Sequence, residues 1–452
     1  MTFLFASLVA IGAIGLFLVR SKLDVTAVMT VYLVALFGVN ARWVVPGAGA
    51  IATPAMVIAV AAAWWWAMAR LSPKMAIDRR PNHVRYALLF HVWFIALSWG
   101  LARMRALSTL EVNGSNIALI STIGLTGVAL LIADGVESRE RLDTLLRRVV
   151  YAGAALSIVG LLQFAFRLDL DAIISFPGLV QNAEPALELG IRGGLPRAKG
   201  TALHAIEFGV VLAMILPLAI HFAMRGTDKA TRRRFVFITA VIAAGIPLGV
   251  SRSGVLAIIL GLLVTGLAWT WRERIIGAAV AAGGVLTMGI MVPGLLGTFR
   301  YLLFDSGTDP SVTARLERIP LVENAYVEAP WLGAGIGTFS PDEDFLLDNE
   351  FYSTLLETGL VGLIVVLTMI AVAIFACRRV RLRSNDHGTS YLAFAIMAGV
   401  VVLPVSMVTF DAFFYRILMG VTFILLGASG ALWRLVVRES MGQRRPSDVV
   451  VS

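Results

Sequence analysis

Residues 359–376 read GLVGLIVVLTMIAVAIFA, and the next charges are Arg378 and Arg379. A bilayer core needs about 20 mostly apolar residues in a helix, so this run and the turns before it predict a membrane span over 351–376. The same pattern recurs along the chain near 2–19, 23–39, 50–69, 86–102, 114–133, 148–166, 204–224, 235–250, 253–270, 275–292, 391–410 and 412–434. The expectation is an all-α polytopic transmembrane helix bundle of 12 or 13 spans; the lower count follows if the first two segments form one hairpin element.

Composition points the same way. Of 452 residues, 58% are hydrophobic and 15% charged, and the mean hydropathy is +0.84. Counted with Gly and without Tyr, the apolar share is roughly 65%, against about 45–50% in soluble domains. A water-soluble fold has no room to hide that much apolar surface, so a soluble enzyme and a disordered chain are both excluded. Cys377 is the only cysteine, which excludes a disulfide scaffold and gives no thiolate metal site. Asp342 and Asp344 have the spacing of a metal-binding pair but sit in an acidic stretch, and no metal or other cofactor is expected.

The net charge of +9, from 38 Lys and Arg against 29 Asp and Glu, does not imply a nucleic-acid partner. Alternate connections between the expected spans hold 26 of the 38 basic residues, among them Arg70, Arg79, Arg80, Arg85, Arg139, Arg141, Arg232, Arg233, Arg378, Arg379 and Arg434. By the positive-inside rule that side is cytoplasmic, and membrane lipids are its expected partners. Trp64, Trp65, Trp66, Trp269, Trp271 and Trp433 cluster at the same span ends, as an interfacial aromatic belt does. The divisions expected are N-terminal spans over 1–166, a first outer loop over 167–203, central spans over 204–292, a large outer loop over 293–350 containing short helices, C-terminal spans over 351–434 and a cytoplasmic tail over 435–452.

The outer side carries the informative exceptions. Arg192, Arg197 and Lys199 precede the span at 204, Arg252 sits in the tight turn Ser251-Arg252-Ser253-Gly254, and Arg300, Arg315 and Arg318 lie in the large loop. A guanidinium near bilayer depth has two readings: it snorkels to the headgroups, or it marks a functional site. An arginine fork matches phosphate oxygens in geometry and charge. The membrane centre is nearly empty of ionisable groups, unlike an ion-coupled transporter. His204 is the one histidine placed outside; it reads either as a helix cap or as a group in the site. Asp348 reads either as an N-cap of the span that follows or as a proton acceptor, and Gly333, Gly335 and Gly337 as a structural or an anion-binding turn.

Four stretches in order carry a family resemblance. Residues 197–204 (RAKGTALH), 251–254 (SRSG), 330–339 (PWLGAGIGTF) and 348–362 (DNEFYSTLLETGLVG) resemble motifs of the O-antigen ligase and Wzy-type polysaccharide polymerase superfamily over roughly residues 195–375. The resemblance implies a metal-independent glycosyltransferase of the cytoplasmic (inner) membrane, with its site facing outside. Its donor would be a polyprenyl-diphosphate-linked glycan and its acceptor a lipid or protein hydroxyl (ligase) or another glycan (polymerase). Carried over residue by residue, Arg197 and Arg252 would hold the diphosphate, Arg315 would support the loop or the donor, and Lys199 and His204 would line the substrate site. Asp348 stands where the ligases often have histidine.

The chemistry agrees. A sugar leaving a diphosphate needs stabilisation of developing negative charge more than protonation, which arginines supply best where water is excluded. Asp348, or His204, would take the acceptor proton. The competing readings are a lipid-linked glycan exporter or flippase, which would need a polar path through the spans, and a non-catalytic subunit binding the same lipid, which would not need Asp348.

Overall fold

The computed structural model describes residues 24–72, 77–168, 174–182, 190–226, 228–304, 310–339, 347–384 and 386–442. The expected span at 2–19, the acidic residues Asp305, Asp309, Asp342, Glu343 and Asp344, and the tail from 443 lie outside these residues. The described chain is helical throughout except for two two-stranded ladders, in agreement with the all-α expectation. Its helices are α1 (Val25–Gly38), α2 (Pro54–Leu71), α3 (His83–Ala102), α4 (Thr109–Gly135), α5 (Arg139–Phe166), α6 (Ala205–Arg225), α7 (Lys229–Gly245), α8 (Arg252–Gly266), α9 (Trp271–Met291), α10 (Leu295–Phe304), α11 (Pro310–Glu328), α12 (Glu350–Arg383), α13 (His387–Thr409) and α14 (Arg416–Gly442). Each expected span after the first coincides with one of them, and α10 and α11 are the short helices expected in the large loop. Among the described residues, nine helices are long and apolar enough to cross a membrane, and α1 and α8 are shorter apolar helices. The last helix runs through Gly442, so residues 435–442, read as tail, extend it.

Helices α6 and α14 form the centre. Most of each is buried, including Phe208, Val210, Leu212, Ile215, Phe423, Leu425 and Leu426. Small residues let their neighbours approach: a Cβ at Gly127 of α4 would lie 2.3 Å from the Ala63 backbone of α2, the close contact that drives helix association in lipid. By contrast α9 buries no residue. It is tied at its first turn, where Glu273 pairs with Arg225 at 2.8 Å and accepts the Tyr391 hydroxyl at 2.6 Å.

The connections separate into two ends. One end carries the basic set, and part of that set is not solvated. Arg85, 1% exposed, meets Asp134, whose side chain is 0% exposed, at 3.0 Å. Trp66 Nε1 donates to the same carboxylate at 3.1 Å. Arg434 pairs with Asp78 at 3.3 Å and donates to the carbonyls of Ala133 and Val136. These arginines and Trp66, read from sequence as membrane anchors, instead close the bundle from inside; in the Trp triplet only Trp64 is exposed. The opposite end gathers residues 195–204, 246–252, 330–339, 347–353 and 410–415.

Removing one partner of a buried ion pair strands the other charge, at about 3–5 kcal/mol. Asp134→Ala is therefore expected to lower the thermal unfolding midpoint in detergent sharply. The joint change Arg85→Met with Asp134→Leu is expected to cost much less, because neither member of the pair is left without its partner.

Candidate functional site

Arg197 is delivered by a hairpin. Strands Ile191–Arg192 and Leu195–Pro196 pair across Gly193 and Gly194, both at positive φ, as a two-residue turn of matching twist requires. The chain then crosses the helix ends without regular structure, and its backbone groups find partners one by one. Ala198 N–H donates to the Leu248 carbonyl at 2.9 Å. Lys199 and Gly200 N–H donate to Gln163 Oε1 at 3.1 and 2.6 Å, and Gln163 Nε2 donates to the Gly200 carbonyl at 3.0 Å. Thr201 bonds the Phe37 carbonyl at 2.6 Å, and Leu203 N–H donates to Glu207 at 2.9 Å. Glu207 also accepts Ile417 N–H at 2.8 Å, joining the first turns of α6 and α14.

Arg197 Nε donates to the Gly249 carbonyl at 3.1 Å. That carbonyl belongs to the 3₁₀ turn Ile246–Gly249, which passes through left-handed Val250 (φ 43°) and opens α8 at Arg252. The Arg197 side chain is thereby attached to the turn that precedes Arg252 in the chain. Arg197 Nη2 is buried and has no hydrogen-bond partner among the described residues. Burial, with Arg192 beside it, brings the guanidinium down to about 10, which leaves it charged at physiological pH. Lys199 is buried.

His204 is the N-cap of α6: its Nδ1 accepts Ile206 N–H at 3.1 Å. That fixes the neutral tautomer with its proton on Nε2. Burial, then the charges of Arg197 and Lys199, push its pKa down to about 4, against a pull upward from Asp348. The ring is thus a neutral donor whose acceptor nitrogen is already occupied by Ile206 N–H.

Asp348 is not the cap of α12. Asn349 takes that place, its side chain accepting from Phe351 and Tyr352 N–H. Asp348 has φ 49°, and its carboxylate faces Arg318 at 3.5 Å. Burial, then the carboxylates of Glu207, Asp411 and Asp348, raise the Tyr415 phenol above its ordinary range, against a pull downward from Arg197. The Tyr415 ring lies 6.3 Å from that of His204. Arg197, His204, Asp348, Asp411 and Tyr415 therefore share one neighbourhood, with Arg252 after the turn Arg197 grips and Arg318 behind Asp348. The side chain of Arg315, on α11, lies outside what the structure describes. Gln163, Arg318 as the partner of Asp348, Asp411 and Tyr415 had no local sequence signal.

The stretch 330–339 supports this end. Helix α12 breaks at Gly359 (φ 64°, ψ −171°). Ala334 and Gly335 N–H donate to the Leu356 and Glu357 carbonyls, each at 2.8 Å, while Leu360 and Val361 N–H donate to the Pro330 and Trp331 carbonyls at 2.9 and 3.2 Å. A Cβ at Gly359 would lie 2.3 Å from the Trp331 carbonyl, and one at Gly333 2.4 Å from the Glu357 backbone. The glycines serve this docking, so the structural-turn reading holds for Gly333.

Residues 235–367 match a protein-family model described as O-Antigen ligase. This segment is an O-antigen ligase family domain. It contains Arg252, Arg318, Asp348 and the Gly359 break; Arg197 and His204 lie before it in sequence, and Asp411 and Tyr415 after it. A search of curated proteins found no match.

A histidine whose folded pKa lies below its unfolded value of about 6.5 leaves the unfolded chain holding more protons between the two values, so stability rises with pH across that window. With His204 at about 4, the expected contribution is a loss of stability as pH falls from 6.5 towards 4. His204→Gln should flatten that part of the pH dependence of the unfolding midpoint; an unchanged slope would assign it to other groups.

Proposed function

We propose that this chain, a multi-pass membrane enzyme of polysaccharide assembly by its family, transfers a glycan from a polyprenyl diphosphate to an acceptor hydroxyl on the outer face of the cytoplasmic membrane. The observation that carries this reading is the buried Arg197 guanidinium, anchored through Nε on the Gly249 carbonyl with Nη2 unpartnered beside the start of α8. A buried charged donor without a protein partner is costly, and an anionic substrate group relieves it. Arg252 opens α8, the helix that follows this turn, and supplies a second guanidinium.

The roles then divide. Arg197 and Arg252 hold the diphosphate and take up negative charge as the bond from the anomeric carbon to the phosphate oxygen breaks. Lys199 adds positive potential behind them, and Arg315 is assigned to the large loop over the donor. His204 Nε2–H is a donor towards substrate oxygens. Asp348 accepts the proton of the attacking hydroxyl, with Arg318 orienting its carboxylate. No metal or other cofactor is needed, because the leaving group is already a diphosphate and the arginines provide the electrostatic stabilisation. The acceptor is a lipid or protein hydroxyl in a ligase and a second lipid-linked glycan in a polymerase. The proximity of Asp348 to Arg197 is compatible with either.

Membranes supplied with lipid-linked donor are expected to lose transfer by about 10²-fold or more on Arg197→Ala, Arg252→Ala or Asp348→Ala, the usual scale for removing one charge-stabilising or proton-accepting group. Normal transfer by all three folded variants would overturn the assignment. Donor accumulating on the inner leaflet would instead identify a flippase.

A further inference from the structure

Asp348 is one of three non-glycine residues at positive φ among the described residues, with Arg167 and Val250. L-residues avoid this region, Asp less than most, and such a conformation persists where its surroundings over-determine it. Here a single carboxylate does so. Asp411 Oδ2 accepts Asp348 N–H at 3.2 Å, and Oδ1 accepts Asn349 N–H at 3.0 Å and the Ser353 hydroxyl at 3.3 Å. Two successive N–H groups converging on one anion form a nest, and the anion in it comes from the connection between α13 and α14. A reciprocal bond returns from the first residue of α12: Glu350 accepts Phe413 N–H at 2.8 Å. The two crossings staple residues 348–353 to 411–413.

This arrangement does more than cap a helix. The capping duty belongs to Asn349, and the nest is filled by Asp411, so the start of α12 is not an anion site for substrate. What the staple sets is the direction of the Asp348 side chain, which remains 46% exposed and meets Arg318 at 3.5 Å. A change of φ at Asp348 to the ordinary negative region would swing that carboxylate to another quarter of the site. We infer that Asp411 is a positioning residue for the acceptor side of the reaction: it holds the backbone of Asp348 left-handed and thereby aims the carboxylate that receives the acceptor proton. The inference rests on the assignment of Asp348 in the proposed function. It places residues of the last connection in the service of a group 63 positions earlier, and predicts that donor capture by Arg197 and Arg252 does not depend on it.

The test uses the full chain in membranes supplied with lipid-linked donor, with kcat, donor KM and thermal unfolding measured for Asp411→Asn, Asp411→Ala, Asp348→Ala and the double variant Asp348→Ala with Asp411→Ala. A misplacement near the reacting atoms costs on the order of 10²-fold. Asp411→Ala is expected to lower kcat on that scale with donor KM nearly unchanged, and Asp411→Asn, which keeps one acceptor oxygen, to recover part of the loss. The double variant should be no slower than Asp348→Ala alone, since Asp411 acts through Asp348. If Asp411→Ala fails to fold, Asp411→Asn decides: a fall in kcat at constant KM supports the role, and wild-type kcat overturns it. Additive losses in the double variant, or a donor KM that rises in step with the fall in kcat, overturn the positioning role and leave the base assignment intact. Unchanged kcat in Asp348→Ala removes both.

Discussion

At Gly359 the longest of the described helices breaks, and the Leu356 and Glu357 carbonyls before the break and the Leu360 and Val361 N–H groups after it are taken up by residues of the stretch 330–335. In hydrocarbon an unpaired N–H or C=O costs several kcal/mol, so irregular backbone is tolerated at membrane depth only where the protein itself supplies partners. Gly359 meets that requirement through its left-handed φ and its missing Cβ, which leave room for the Trp331 carbonyl. The first turns of α12 are thereby fixed relative to α3, where Ser98 receives Ile336 N–H. Asn349, Glu350 and Asp348 inherit their positions from that arrangement.

The same constraint governs the opposite wall of the site. Residues 197–204 have no regular structure, yet Gln163, Leu248, Phe37 and Glu207 meet their polar groups in turn. Arg197 Nη2, on the same stretch, is buried with no hydrogen-bond partner among the described residues. Charges of both signs act at this end. Neutral His204 feels the cations Arg197 and Lys199 as well as the carboxylate of Asp348, and Tyr415 feels Arg197 as well as the carboxylates of Glu207, Asp411 and Asp348. Such a combination suits a reaction in which negative charge builds on a leaving group while a proton leaves the attacking group.

Spans were legible because the hydrophobic run is a local signal. Each of the twelve expected after residue 22 has its helix, although 235–250 resolves into α7 and a 3₁₀ turn because Pro247 follows closely on Gly245. Arg197, Arg252 and His204 were legible as polar exceptions beside apolar runs. Two features misled. Asp348 and Asn349 are both competent caps, and only the left-handed φ at Asp348 decides between them. Arg85, Arg434 and Trp66 sit at span ends, where a count of charges reads anchors; their burial depends on Asp134 and Asp78, which belong to other connections. Asp411 and Gln163 gave no signal, since the groups they bond lie 36 or more residues away in sequence, and neither did Tyr415, which His204, Arg197 and Asp348 approach from distant segments.

The central claim is that the guanidinium of Arg197, with Arg252 at the start of α8, holds the diphosphate of a lipid-linked donor at the end of the bundle opposite the basic connections. An experimental structure of the protein with bound polyprenyl diphosphate tests it most directly. The account expects phosphate oxygens at about 3 Å from the Arg197 guanidinium and near the start of α8, with Asp348 on the far side of the sugar position. A diphosphate lodged instead among Arg70, Arg79 and Arg80 at the other end of the bundle would contradict it.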